Sequence, residues 1–121
     1  MTIDEREGLA MMLDAILGFE PDWERHLAYW GDDARGFCTD VAEMTVFAST
    51  LIAEGRQSEL EGLFACVEQL LEHGTPVVRD AVGTCFVESL ANRVPDLFSE
   101  ATLNSVLGPR ALAVARDWNS T

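Results

Sequence analysis

Apolar residues recur at helical spacing along nearly the whole chain. The clearest case runs from Ser58 to Glu72, where Leu60, Leu63, Phe64, Val67, Leu70 and Leu71 follow the i, i+3, i+4, i+7 rule of a helix with one buried side. Ser58 and Glu61 have capping-box spacing at its start, and Gly74 suits a left-handed residue at its end. A second helix begins at once, with Thr75 as N-cap and Pro76 at the first helical position, and is expected to reach about Asn92. Apolar side chains cover most of its circumference and leave Asp80, Thr84 and Glu88 as a narrow polar stripe. Such a helix needs neighbours on several sides, so it is expected at the centre of the fold. The short connection makes the two helices an antiparallel hairpin.

The same reading places a helix over residues 3–17, with Thr2 and Glu5 as a capping box, Leu9, Met12, Leu13, Ile16 and Leu17 inward, and Gly18 after the last turn. A shorter helix covers residues 21–30 and ends at Gly31. Trp23, Leu27 and Trp30 share its apolar face, with His26 and Tyr29 beside it. A third covers residues 37–54 and ends at Gly55, burying Val41, Met44, Thr45, Ala48, Leu51 and Ile52. Beyond Pro95, short helical turns over 96–100 and 102–107 precede a last helix over 109–118, and the final three residues are expected to fray. Little of the chain alternates with a period of two. The expectation is a single all-α domain over residues 1–121, of antiparallel hairpins in an α-α superhelix of HEAT type.

Composition narrows the function. Apolar residues make up 48% of the chain, too many and too periodic for disorder. No apolar run reaches the ~18 residues of a membrane span, and the acidic N-terminus does not read as a signal peptide. A cytoplasmic protein without membrane contact is therefore expected. Cys38, Cys66 and Cys85 are an odd, widely spaced set without a CxxC, expected as buried free thiols and not as a zinc site. Twenty-one acidic residues face eight arginines and no lysine, for a net charge of −13. That field repels nucleic acid and anionic membrane and attracts a basic protein surface. The bland alternative is that the charge only confers solubility.

No P-loop, GxGxxG, GxSxG or HExxH occurs. His26 reads as a partly exposed residue beside two tryptophans, and His73 as a polar residue at the negative end of a helix. No catalytic residue, cofactor or metal is expected. Asp32 and Asp33, in the polar loop over 31–36, fall far short of a calcium loop. Asp40, Glu43, Thr50 and Glu54 share one side of the third helix, with Phe47 at its boundary; an aromatic bordered by carboxylates suits an Arg or Lys of a partner, and the alternative is a boundary Phe that covers a neighbouring helix. Asp80 and Glu88 must reach solvent, a partner, or an internal arginine such as Arg56 or Arg110. Glu61, Glu68 and Glu72 form an acidic strip on the outer side of the fourth helix. The candidate partner-binding set is Asp32, Asp33, Asp40, Glu43, Phe47, Glu54, Asp80 and Glu88.

From about Asp40 onward the chain resembles a family of small all-helical bacterial proteins found beside polymorphic toxins and regarded as immunity-like. The resemblance lies in Glu59-Leu60 after Gly55, Val67-Glu68-Gln69-Leu70-Leu71 with Gly74, Val78-Arg79-Asp80-Ala81-Val82, Phe86-Val87-Glu88-Ser89-Leu90, and the Leu107-Gly108-Pro109-Arg110 turn with Trp118. Most of these are core or turn positions. What the resemblance implies is a protein that binds and silences a toxin. The charge balance adds that this cognate toxin carries a basic surface, and the free protein is expected as a monomer or weak homodimer. The alternative is a non-catalytic adaptor, or a domain that self-associates through its Trp23–Trp30 face.

Overall fold

The computed structural model describes residues 2–33 and 35–119, the last by its backbone alone. Ala34 of the polar loop, and Ser120 and Thr121 of the tail expected to fray, lie outside the described residues. The helices are α1 (Glu5–Ala15), α2 (Glu20–Trp30), α3 (Phe37–Glu54), α4 (Gln57–His73) and α5 (Pro76–Ala81). The last runs without a break through a π-helical segment (Val82–Glu88) into α6 (Ser89–Ala91). α7 (Glu100–Val106) and α8 (Pro109–Asn119) complete the chain. Among the described residues the one β-type pairing is an isolated bridge between Ile3 and Gly74, so the all-α expectation holds.

The rod formed by α5, the π segment and α6 is the centre of the fold. Its π segment packs against α3, α4 and α8. Val78, Val82, Phe86, Val87 and Leu90 are fully enclosed, while Asp80 and Thr84 stay exposed. Met12 of α1 and Ile16 just after it, Val41 and Met44 of α3, Leu63 and Leu70 of α4, and Ala111 of α8 close round it in one core. A π segment widens the helix and loosens its hydrogen-bond ladder. Here the one hydroxyl proton of Thr45 on α3 is shared between the Cys85 carbonyl, at 2.9 Å, and the Val41 carbonyl of α3, at 3.0 Å, tying α3 to the widened turn.

A disulfide joins the same two elements. Cys38 of α3 is bonded to Cys85 of the π segment, and Cys38 is exposed. This corrects the expectation of three buried free thiols: only Cys66 is free and buried among the described residues. Pairing depends on two helices distant in sequence lying side by side, which spacing along the chain does not reveal. Burial, with the nearby Asp14 charge adding to it, pushes the Cys66 thiol up to about 11, so it stays protonated and unreactive at neutral pH.

Several local expectations shift. The first capping box is Asp4 with Glu7, two residues on from the expected Thr2–Glu5 pair. α4 starts at Gln57 with Arg56 as N-cap, so Ser58 caps nothing. Gly74 is extended, at φ −70° and ψ 156°, not left-handed. Its glycine character has another cause: a Cβ there would lie 2.4 Å from the Leu70 carbonyl oxygen and 2.7 Å from Val78. The N-terminal segment docks at this turn, with Ile3 N donating to the His73 carbonyl and Thr75 N to the Ile3 carbonyl. The Thr75 cap, Pro76 start and Gly55 stop are as expected, and it is Gly55 that is left-handed.

The acidic strip of α4 is largely spent inside the fold. Glu68 accepts from the backbone N–H groups of Arg110 and Ala111, each at 2.9 Å, and so caps α8 from outside the helix. Glu72 pairs with Arg110 at 3.2 Å. Gly108 allows the close approach, since a Cβ there would lie 2.5 Å from the Glu68 carboxyl carbon.

Two outcomes are expected. The chain denatured without reductant reacts as one thiol and after reduction as three; reduction lowers unfolding stability by about 2–4 kcal/mol, read from urea melts. Gly108→Ala displaces the Glu68 carboxylate and costs about 1 kcal/mol or more, while Gly36→Ala, which meets nothing within 4 Å, costs less.

Candidate functional site

α2 opens with Pro21 in its first turn and packs along α3. Its buried residue is His26, only 7% exposed, with Trp23, Leu27 and Trp30 half-buried around it. The sequence reading placed His26 partly in solvent. The difference comes from Asp40, in the first turn of α3, which faces it across the interface. His26 Nε2 donates to Asp40 Oδ1 at 2.9 Å, and Arg35 Nε donates to the same oxygen at 2.7 Å. The Arg35 guanidinium sits 5.5 Å from the centre of the Trp23 ring, and Trp23 stacks on His26 at 5.3 Å. Asp40, His26, Trp23 and Arg35 thus close a circuit in which each side chain holds the next.

This circuit corrects the role expected of Asp40. At 4% exposure, with two partners already on it, its carboxylate cannot meet the cation of a partner. A buried carboxylate is tolerated because these two donors, and the positive end of α3, replace the water it has lost.

Above the circuit, an open groove of about 750 Å³ runs between α2, α3 and the Ser89–Arg93 stretch. His26 forms part of its lining with Tyr29, Trp30, Cys38, Glu43 and Val46. Tyr29 is 84% exposed and Val46 53%. A smaller groove of about 260 Å³ adjoins it and shares Glu43 and Val46. Phe19, Asp22, Phe47 and Thr50 complete that second groove, where Phe47 packs edge-on against Phe19 with ring centres 5.4 Å apart. Of the carboxylates expected around Phe47 only Glu43 lines this groove with it; the second is Asp22 of α2, while Asp40 is buried and Glu54 lies elsewhere.

Two arginines also enter the larger groove. Arg25 pairs with Asp22, and Arg93 donates to the Ser89 carbonyl at 2.6 Å and hydroxyl at 2.7 Å. The site is therefore mixed in charge, not uniformly acidic. Sequence reasoning missed both arginines, since nothing in their spacing separates them from solvated ones. The role of His26 had a signal: it falls three residues after Trp23 and four before Trp30, on one helical face.

The other candidate residues lie apart. Asp32 and Asp33 are exposed just past α2. Glu54 ends α3 and stands 3.7 Å from Arg56. Asp80 is exposed on α5 and Glu88 half-buried at the end of the π segment. The arginines considered for those two pair elsewhere, Arg56 with Glu54 and Glu59, Arg110 with Glu72. The fold thus gathers Glu43 and Phe47 over a buried Asp40, and Glu54, Asp80 and Glu88 line neither groove. No group of three or more His, Cys, Asp or Glu side chains among the described residues could hold a metal ion. No helix of the described residues is long and apolar enough to cross a membrane.

These observations define a small all-α domain with a mixed-charge groove between its second and third helices. The chain belongs to the family of the domain of unknown function DUF7674, which matches residues 9–118. No curated protein and no solved structure matches it.

Asp40→Ala leaves Arg35 and His26 without their acceptor and is expected to lower stability by about 2–3 kcal/mol. Denaturant melts followed by Trp fluorescence read this directly, because Trp23 and Trp30 flank the lost contact.

Proposed function

We propose that the protein is a non-catalytic binding protein that neutralises a basic bacterial toxin, in the manner of the immunity-like family it resembles. The observation that carries this is the α2–α3 face, where Glu43 lies between exposed Tyr29 and Val46 beside Phe47. A half-buried carboxylate among exposed aromatic and aliphatic groups suits a basic side chain set in an apolar surround. Glu20, Glu24, Asp32 and Asp33 are exposed on α2 and the loop after it. They and the net charge of −13 supply long-range attraction that speeds approach of a basic partner. Glu54, Asp80 and Glu88 act on this proposal through the same field.

Self-association through the Trp23–Trp30 face has less support, because both rings pack towards His26. On the favoured proposal the protein works in the cytoplasm. The Cys38–Cys85 disulfide is more typical of an oxidising compartment, and thiol trapping in freshly quenched cells decides between the two.

The test is co-purification with the product of the neighbouring gene across a salt series. Retention is expected to weaken as ionic strength rises, and Tyr29→Ala and Glu43→Arg each to reduce affinity by about tenfold or more. Absence of any retained partner at low salt overturns the proposal.

A further inference from the structure

We infer that the gap between His26 Nδ1 and Glu43 Oε2 is a receptor for one cationic nitrogen, the ammonium or guanidinium head of a lysine or arginine on a basic protein partner. The identity of that partner rests on the function proposed above; the receptor rests on geometry. His26 is 93% buried, as the complement of its 7% exposure. Its Nε2 carries the proton, because a carboxylate only accepts and Asp40 occupies that side. In the neutral imidazole Nδ1 then presents a lone pair. It has no hydrogen-bond partner among the described residues, and Glu43 Oε2 stands 4.0 Å away, beyond hydrogen-bonding range. No fully buried polar side-chain atom among the described residues lacks a partner, so Nδ1 keeps access to solvent, and His26 lines the larger groove.

In that form two acceptors face one another across 4.0 Å, and one is anionic. A single nitrogen about 2.9 Å from each fits the 4.0 Å span. Glu43 makes a charged donor more favourable than a neutral one. Tyr29 and Trp30 line the same groove, and aromatic faces attract a cation. The arginines of the groove do not fill the gap: Arg25 is held by Asp22, and Arg93 by Ser89. Asp40, held in turn by Arg35, fixes the imidazole before any ligand arrives, so little ordering is lost on binding.

The test titrates the full chain with N-acetyl-arginine amide, N-acetyl-lysine amide and the neutral isostere N-acetyl-citrulline amide, following the His26 Nδ1 resonance by ¹⁵N NMR. A saturable Nδ1 shift is expected with at least one cationic probe, and which one responds identifies the head group. Affinity is expected to fall by about tenfold for citrulline and for Glu43→Gln. Glu43 is half-exposed, so that variant keeps the fold, checked by an unchanged urea melt. An unmoved Nδ1 resonance overturns the inference. So does equal binding of citrulline and arginine, the mark of a gap filled by water, or equal binding by wild type and Glu43→Gln. The probes need no partner protein. Failure here with a retained partner removes the receptor alone; saturation here with no partner at low salt removes the toxin alone.

Discussion

A helical rod that is apolar on most of its circumference must be enclosed, and the rest of this protein is arranged to enclose it. Val82, Phe86, Val87 and Leu90 require α3, α4 and α8 around the rod before any of them is stable in water. α3 is held there twice more, by the Thr45 hydroxyl on the Cys85 carbonyl and by the Cys38–Cys85 disulfide. With one side of α3 committed to the rod, α2 covers another, and the two grooves lie along their seam. The site is thus a by-product of how the rod is buried, placed on a helix that has little freedom to move.

Charge is distributed by the same logic. Several of the eight arginines are consumed locally: Arg25 by Asp22, Arg35 by Asp40, Arg56 by Glu54 and Glu59, and Arg110 by Glu72. The backbone of Glu59 and the Arg56 side chain hold the Glu59 carboxyl below the usual carboxylate range. Pairs of this kind on the surface add little stability, but they decide where the unbalanced negative charge remains. Glu68 shows the opposite use, a carboxylate turned onto a helix terminus, where it organises α8 and is lost to any partner. A surplus of acidic residues is therefore not one surface. It divides into capping groups, ion pairs and the remaining exposed carboxylates, and only the last can steer an approaching molecule.

The helices, their order and the central position of the rod were legible because hydrophobic period and turn chemistry are local. Thr75 with Pro76, and Gly55 after Glu54, mark boundaries that the fold keeps. Spacing puts Glu43 and Phe47 near one another on α3, but Asp22, which joins them in the groove, comes from α2. Capping was less legible at α1 and α4, where several residues within one turn offer the same chemistry and the docking of Ile3 at Gly74 selects among them.

The sequence by itself determined an all-helical chain with one core and a strong negative balance. These follow from period, composition and residues within a few positions of one another. Only the tertiary structure decided that Asp40 is internal and His26 buried, that Cys38 meets Cys85, and that Glu43 faces an imidazole nitrogen at 4.0 Å. Each of those outcomes depends on two helices meeting face to face. Hydrogen bonds and disulfides act over a few ångströms in space, a separation that distance along the chain does not encode.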